Sequence, residues 1–200
     1  MAEEFIEYDR ELSVIAAQGD GETAFFPTTE TIHREEILRR TVSPARTDGT
    51  TTERAREVAR DVLETMEGRG VYGIEMFEDG DDVLVNEIAP RPHNSGHWTI
   101  EGARTSQFEQ HTRAVVGAPL GSTGLRGTTV SVNVLGDGGE RDVSLTGIDR
   151  LLSSNAHLHW YGKEKERPLR KMGHFTLTGD DTDELMREAD EVHDELRFER

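Results

Sequence analysis

The sequence predicts an α+β fold: an antiparallel sheet with helices, followed by a small β-rich C-terminal unit. Three observations lead there. VYGIEMF at 71–77 and VLVNEI at 83–88 flank the acidic turn EDGDD and read as a hairpin. Ala55, Val58, Ala59, Val62, Leu63 and Met66 recur at three-and-four spacing and give a helix one apolar face. Beyond Gly117–Gly127, a stretch rich in Gly, Pro and Ser, the pattern changes to new strands. That stretch places a boundary between units 1–117 and 118–200.

In chain order, ELSVIAA at 11–17 reads as a strand, and TAFF at 23–26 as a second after the turn signal Gly19-Asp20-Gly21. Thr51 and Thr52 offer N-caps for the long helix and Gly68 a stop. After the hairpin, Pro90 and Pro92 keep APRPHNSGH at 89–97 out of regular structure. A second helix is expected over about 105–116, with Phe108, Thr112 and Val115 inward. TTVSVNVL at 128–135, HLHWYG and GHFTLTG read as strands, the last two separated by the charged KEKERPLRK. A polar helix over 182–196 puts Leu185, Ala189, Val192 and Leu196 on one side.

Composition excludes several function classes. A formal net charge of -17 repels phosphate backbones and argues against nucleic-acid binding. No apolar run approaches the roughly 18 residues that would span a membrane, and Glu3, Glu4 and Glu7 do not form a leader. There is no cysteine, so disulfide and thiol chemistry are absent and a cytoplasmic setting is the simplest inference. Three lysines stand against twenty arginines. Acidic excess with scarce lysine points to a salt-rich cytoplasm, where screening weakens self-repulsion, as in a haloarchaeon.

Two features carry chemistry. With the turn centred near Gly80, Glu75 falls opposite Val85 and Gly73 opposite Glu87, so both glutamates share a face as diagonal neighbours about 7 Å apart. Two like charges so placed need a cation or a raised pKa, and hard oxygen ligands favour Mg²⁺. Asn86 faces away unless the strand bends. An ordinary solvated hairpin is the bland alternative. Directly afterwards, Arg91, His93, Asn94, Ser95 and His97 crowd a proline-stiffened loop, the chemistry of an anion site. His93 and His97, with His111, have partial zinc-ligand spacing, but no cysteine completes the pattern. Lys163, Arg167, Arg170 and Lys171 form a basic island in an acidic chain, suited to an anion that the remaining surface would repel.

The runs NEIAPRPHNSGHWTI at 86–100 and TSQFEQHTRAVVG at 105–117 resemble the signature of the 5-(carboxyamino)imidazole ribonucleotide synthases. YGKEKERPLRKMGH at 161–174 resembles that family's C-terminal signature, and EEFIEYDRELSV at 3–14 its adenine-side hinge. The resemblance implies the C-terminal lobe of an ATP-grasp ligase. Such a ligase uses ATP and bicarbonate to make carboxyphosphate and then carboxylates 5-aminoimidazole ribonucleotide. It further implies that Glu3, Glu4, Phe5 and Ile6 line adenine, Glu11 binds ribose, and His33 lies near the nucleotide. Glu75 and Glu87 would hold Mg²⁺ with Asn86 beside them. Arg91, His93, Asn94 and Arg113 would serve the acceptor pocket, and Lys163 and Arg170 the substrate phosphate. A homodimer is the family expectation. The family has a substrate domain and a phosphate-covering loop before this hinge, with lysines on the nucleotide. No lysine precedes Lys163 here, so the resemblance implies a chain that needs a missing N-terminal half. A non-enzymatic nucleotide-binding or interaction module is the rival from another class, and a formate-using purine transformylase the nearest enzymatic one.

Overall fold

A computed structural model describes residues 5–138 and 141–198. The elements are β1 (Arg10–Gln18), β2 (Thr23–Phe25), β3 (Thr29–Arg34), β4 (Ile37–Ser43), α1 (Gly49–Thr65), β5 (Gly70–Asp79), β6 (Asp82–Ala89), α2 (Thr99–Gly102), α3 (Gln107–Val116) and β7 (Thr128–Leu135). They continue with β8 (Arg141–Asp142), β9 (Leu145–Thr146), α4 (Ile148–Ser153), β10 (His157–Trp160), β11 (Lys165–Glu166), β12 (Lys171–Gly179), α5 (Thr182–Glu195) and β13 (Arg197–Phe198). One nine-stranded sheet runs β10-β12-β7-β4-β3-β1-β5-β6, with β2 on β1. Every pairing in it is antiparallel. Because β7 pairs with β4, the sheet continues across the Gly117–Gly127 stretch. Among the described residues, no helix is long and apolar enough to cross a membrane.

The two faces of the sheet differ, and the difference places the site. Registers Leu12↔Glu30↔Val42↔Val130↔Leu177 put mostly apolar side chains on one face. There Leu12, Val14, Ile74 and Met76 pack under α1, and Val130, Val132, Phe175 and Leu177 under α5. The neighbouring row, Glu11↔Thr31↔Thr41↔Ser131↔Thr176, lines the opposite face with small hydroxyls. Small side chains let the loop after β6 lie close against that face. Gly73 marks a close approach: a Cβ there would stand 2.5 Å from the Cβ of His93.

Several expectations need correction. Asp48, not Thr51 or Thr52, caps α1, accepting from the Thr51 N–H at 2.8 Å, while Thr51 is buried in the first turn. Phe108 and Val115 of α3 are 42% and 55% exposed, and Thr112 is exposed too. The buried face carries Gln107, Gln110 and Ala114 instead. The reason is that its two inward glutamines bond main chain of the flanking loops. The Gln110 amide bonds Gly121 in both directions, at 2.6 and 2.8 Å, so a polar residue is the one that fits inward. In the hairpin, the turn joins Asp79 to Asp82 and Met76 pairs with Val85; a bulge at Asn86 then sets Glu75 directly opposite Glu87. The glutamates share a face as direct partners, not diagonal ones, because one extra residue shifts the register.

Candidate functional site

The bulge turns the end of β6 so that Asn86 and Glu87 line one cleft together with Glu75, Glu11, His33 and Tyr8, a space of about 390 Å³. Its floor is formed where β1, β3, β5 and β6 meet on the hydroxyl-lined face. Tyr8 stacks on Phe77 with ring centroids 4.5 Å apart, which fixes the phenol beside Glu11. Glu11 is held from both sides: its Oε1 accepts from the Tyr8 hydroxyl at 2.6 Å, and its Oε2 lies 2.5 Å from His33 Nδ1. Burial works to raise the Glu11 carboxyl, but hydrogen bonds from His33 and Tyr8 and the charge of His33 outweigh it and hold the group below its usual value. The same contact pushes Tyr8 up to about 12, with burial adding to it.

Glu75 is treated differently. Burial raises its carboxyl, and the charges of Glu87 and Glu11 add to that, against His33 and Lys171. The nearest imidazole is that of His93, whose Nδ1 lies 3.7 Å from Glu75 Oε1. Two facing carboxylates without a close cation, beside an amide oxygen from Asn86, make a hard oxygen donor set that suits Mg²⁺. Among the described residues, no three His, Asp or Glu side chains converge into a metal cage, so a cation here would take its remaining ligands from phosphate oxygens or water.

The loop after β6 supplies the opposite wall. His93 is pinned by its backbone: its N–H donates to Gln107 Oε1 at 2.9 Å and its carbonyl accepts from Gln107 Nε2 at 2.7 Å. Ser95 Oγ bridges His93 Nδ1 at 2.9 Å and Ser13 Oγ at 2.7 Å. His93 also caps the short 3₁₀ turn Asn94–Gly96 through Nδ1. With Nδ1 accepting, a neutral His93 carries its proton on Nε2. It is neutral near pH 7, because burial first, and then Arg91, Lys171 and His33, lower it to about 4. Arg91 is exposed, donating to Pro92 O at 3.2 Å. The Asn94 side-chain nitrogen is buried without a protein partner.

The basic island lies on the C-terminal unit, and Lys171 is its link to Glu75 and Arg91. Lys163 Nζ donates to Lys171 O at 2.5 Å, and Arg170 Nη1 donates to Lys165 O at 2.7 Å, so both cations are tied to main chain. Burial lowers Lys163, helped by Arg170 and Arg167. Lys171 is half-buried. Burial lowers it while the charge of Glu75 works against that, and Arg91 and Lys163 lower it further. It is thus the lysine coupled to both the acidic hairpin and the acceptor loop, a role its place in the basic run did not single out. Gln107 and Ser13 were also missed, because each acts through a neighbour's backbone or hydroxyl.

Other expected residues are placed as follows. Glu3 and Glu4 lie outside the described residues. Phe5 is 88% exposed at the approach to β1, with Ile6 beside it. Arg113 does not join the site. Its guanidinium bonds Glu109 Oε1 at 2.9 and 2.7 Å and Pro119 O at 3.2 Å. It stands near the end of α3 that meets β5 at its beginning, where His111 Nδ1 accepts from Val71 N–H. That is about 13 Å along the strand from Glu75, at roughly 3.3 Å per residue.

The sheet, the acidic hairpin and the capped loop form one lobe around an acidic cleft. The profile of the ATP-grasp domain matches residues 1–108, and the chain belongs to that family. The profile described as the phosphoribosylaminoimidazole carboxylase C-terminal domain matches residues 129–188. N5-carboxyaminoimidazole ribonucleotide synthase of Vibrio vulnificus is 45% identical over 188 residues, 94% of this chain and 48% of that protein. The crystal structure of N5-carboxyaminoimidazole ribonucleotide synthetase from Thermotoga maritima superposes with a TM-score of 0.90 at 44% identity, over 98% of this chain and 54% of that one. The Aspergillus clavatus synthase, solved in complex with ADP and 5-aminoimidazole ribonucleotide, gives 0.88 at 35% identity, over 96% of this chain and 52% of that one. The chain thus spans about half the length of the curated relatives it matches.

Proposed function

We propose that this chain forms the C-terminal half of a ligase that carboxylates 5-aminoimidazole ribonucleotide with ATP and bicarbonate in purine biosynthesis, in the cytoplasm. The observation that carries the proposal is the pairing of Glu75 with Glu87 across from the pinned His93, beside a basic island. Residues 1–117 supply the nucleotide side and 118–200 the phosphate-binding side of one shared sheet, and a homodimer is the expected assembly. Phe5 and Ile6 border adenine, and Glu11, oriented by Tyr8 and His33, accepts from the ribose hydroxyls.

Glu75 and Glu87, with Asn86, would hold Mg²⁺. When bound, that ion neutralises phosphate charge during phosphoryl transfer. Transfer of the terminal phosphoryl to a bicarbonate oxygen gives ADP and carboxyphosphate. The Nε2–H of neutral His93 and the Arg91 guanidinium would donate to the carboxylate oxygens of that anion. Attack by the substrate amine on its carbon expels phosphate and leaves the carbamate. Lys163 and Arg170 receive the ribonucleotide phosphate, and Lys171 lies between the two anions. Arg113 serves the scaffold. Bicarbonate-dependent ADP release tests the proposal, measured with the chain alone and with the N-terminal half of a relative supplied. Bicarbonate-dependent release that needs that half is expected, with carbamate formed only when aminoimidazole ribonucleotide is present. Release indifferent to bicarbonate would defeat the proposal.

A further inference from the structure

Three imidazoles stack where β10 and β12 meet the loop after β6. His174 lies between His97 and His159, with centroid separations of 4.7 and 4.6 Å. The Tyr161 hydroxyl touches two of them, at 2.8 Å from His174 Nδ1 and 3.2 Å from His97 Nδ1. On the outer side, His159 Nε2 is 2.7 Å from Glu101 Oε1. None of these groups takes part in the steps above.

A phenol has one proton to give, and a neutral imidazole has one N–H. Both rings touching Tyr161 are neutral near pH 7. Burial first, then neighbouring charges, brings His97 to about 4 and His174 to about 3. Tyr161 cannot donate to both, so at least one ring must donate to it. The far side of His174 decides which. Its Nε2 is buried with no protein partner. A proton there would be an orphaned buried N–H, which folded proteins rarely keep, whereas a bare lone pair costs less. His174 therefore carries its proton on Nδ1 and donates to the Tyr161 oxygen. The phenolic proton then goes to His97 Nδ1, and His97 is protonated on Nε2.

We propose that Tyr161 is a positioning residue, the centre of a one-way relay from His174 through Tyr161 to His97 that sets the spacing between the basic turn and the acceptor loop. Lys163 follows two residues later and its ammonium lies 5.7 Å from the Tyr161 ring centroid. His97 ends the 3₁₀ turn that His93 begins. The relay thus joins the group that receives the ribonucleotide phosphate to the loop that receives carboxyphosphate, and this coupling rests on the function proposed above. The occupant it serves is a ribose phosphate monoester.

The test has two parts. Two-bond ¹H–¹⁵N spectra of labelled chain at pH 7.5, without ligand, read each tautomer. His174 is expected protonated on Nδ1 and His97 on Nε2, and His174 protonated on Nε2, or as imidazolium, would overturn the relay. Calorimetric titration with ribose 5-phosphate reads the coupling. Tyr161→Phe and His174→Gln should weaken binding several-fold to about tenfold, the scale of one hydrogen bond. His174→Asn keeps a donor where Nδ1 stood and should restore most of it, which a merely space-filling role would not predict. Unchanged affinity in Tyr161→Phe, with Lys163→Ala abolishing binding, would overturn the positioning role. A native chain that does not bind the probe would fault the functional reading, and the spectra would then decide the relay alone.

Discussion

Glu75 and Glu87 face each other directly across two strands, and like charges so placed cost stability until a cation arrives. Burial of Glu75 adds to the cost by disfavouring its ionised form. The same change should therefore act in opposite directions on two measurements. Glu75→Gln or Glu87→Gln is expected to raise the thermal midpoint of the metal-free chain, by roughly 0.5–1 kcal/mol in stability. Either should also weaken Mg²⁺-dependent nucleotide binding at least tenfold in the ligase completed with a relative's N-terminal half, because a neutral amide is a poorer ligand for a hard cation. Melting curves with and without Mg²⁺, together with nucleotide titrations, check both. A variant that loses stability and keeps its affinity would mean that the pair is an ordinary surface feature. That the two glutamates share a face was legible from alternation alone. Their direct pairing was not, since the bulge at Asn86 has no signal of its own: no glycine or proline marks it.

The β3–β4 hairpin shows most plainly what the sequence hides at the level of elements. It carries His33 into the cleft, yet nothing in the alternation of 29–43 stood out. Its turn residues are Glu35 and Glu36, both with positive φ, 55° and 60°. Turns of that shape ordinarily use Asn-Gly, because a side chain in the left-handed region costs about 1–2 kcal/mol. With two glutamates there, the usual punctuation is missing and so was the prediction. The hairpin at 70–89 was legible because Gly80 sits in its turn, at φ 57°. Likewise α1 and α5 followed from apolar periodicity because they cover the apolar face, while α3 misled because its inward glutamines bond main chain of the flanking loops. Replacing Glu35 by Asn and Glu36 by Gly is expected to stabilise the fold by about 1–2 kcal/mol. The Glu35–Arg39 pair lost in the exchange is exposed and worth little. Urea midpoints measure the gain. A double variant no more stable than the parent would mean that the glutamates relieve their own strain through contacts at the cleft mouth.

Over the whole molecule, two electrostatic loads act on stability and respond differently to salt. The first is the surplus of surface carboxylate behind a net charge of -17, which repels itself over distances that ions screen. The second is internal: His93, His97 and His174 are held neutral by burial, at about 4, 4 and 3 against an ordinary 6.5. Each is a base whose folded value lies below its unfolded one. Between those values the unfolded chain binds more protons, so stability is fully present above about pH 6.5 and is lost as pH falls through about 4. Bulk ions cannot reach buried rings, so salt should not rescue that loss. Melting points measured over KCl from dilute to molar, at pH 7.5 and at pH 5, separate the two. At pH 7.5 the midpoint is expected to climb with KCl, as a salt-adapted surface requires. At pH 5, close to the isoelectric point of about 4.8, most of the net charge is gone, so the midpoint should start lower and climb little with KCl, and the gap between the curves should widen with salt. If molar KCl closed the gap, the acid sensitivity would belong to the surface and not to the three rings. If the midpoint ignored KCl at pH 7.5, the acidic excess would have no part in stability, and salt adaptation would lose its physical basis in this chain.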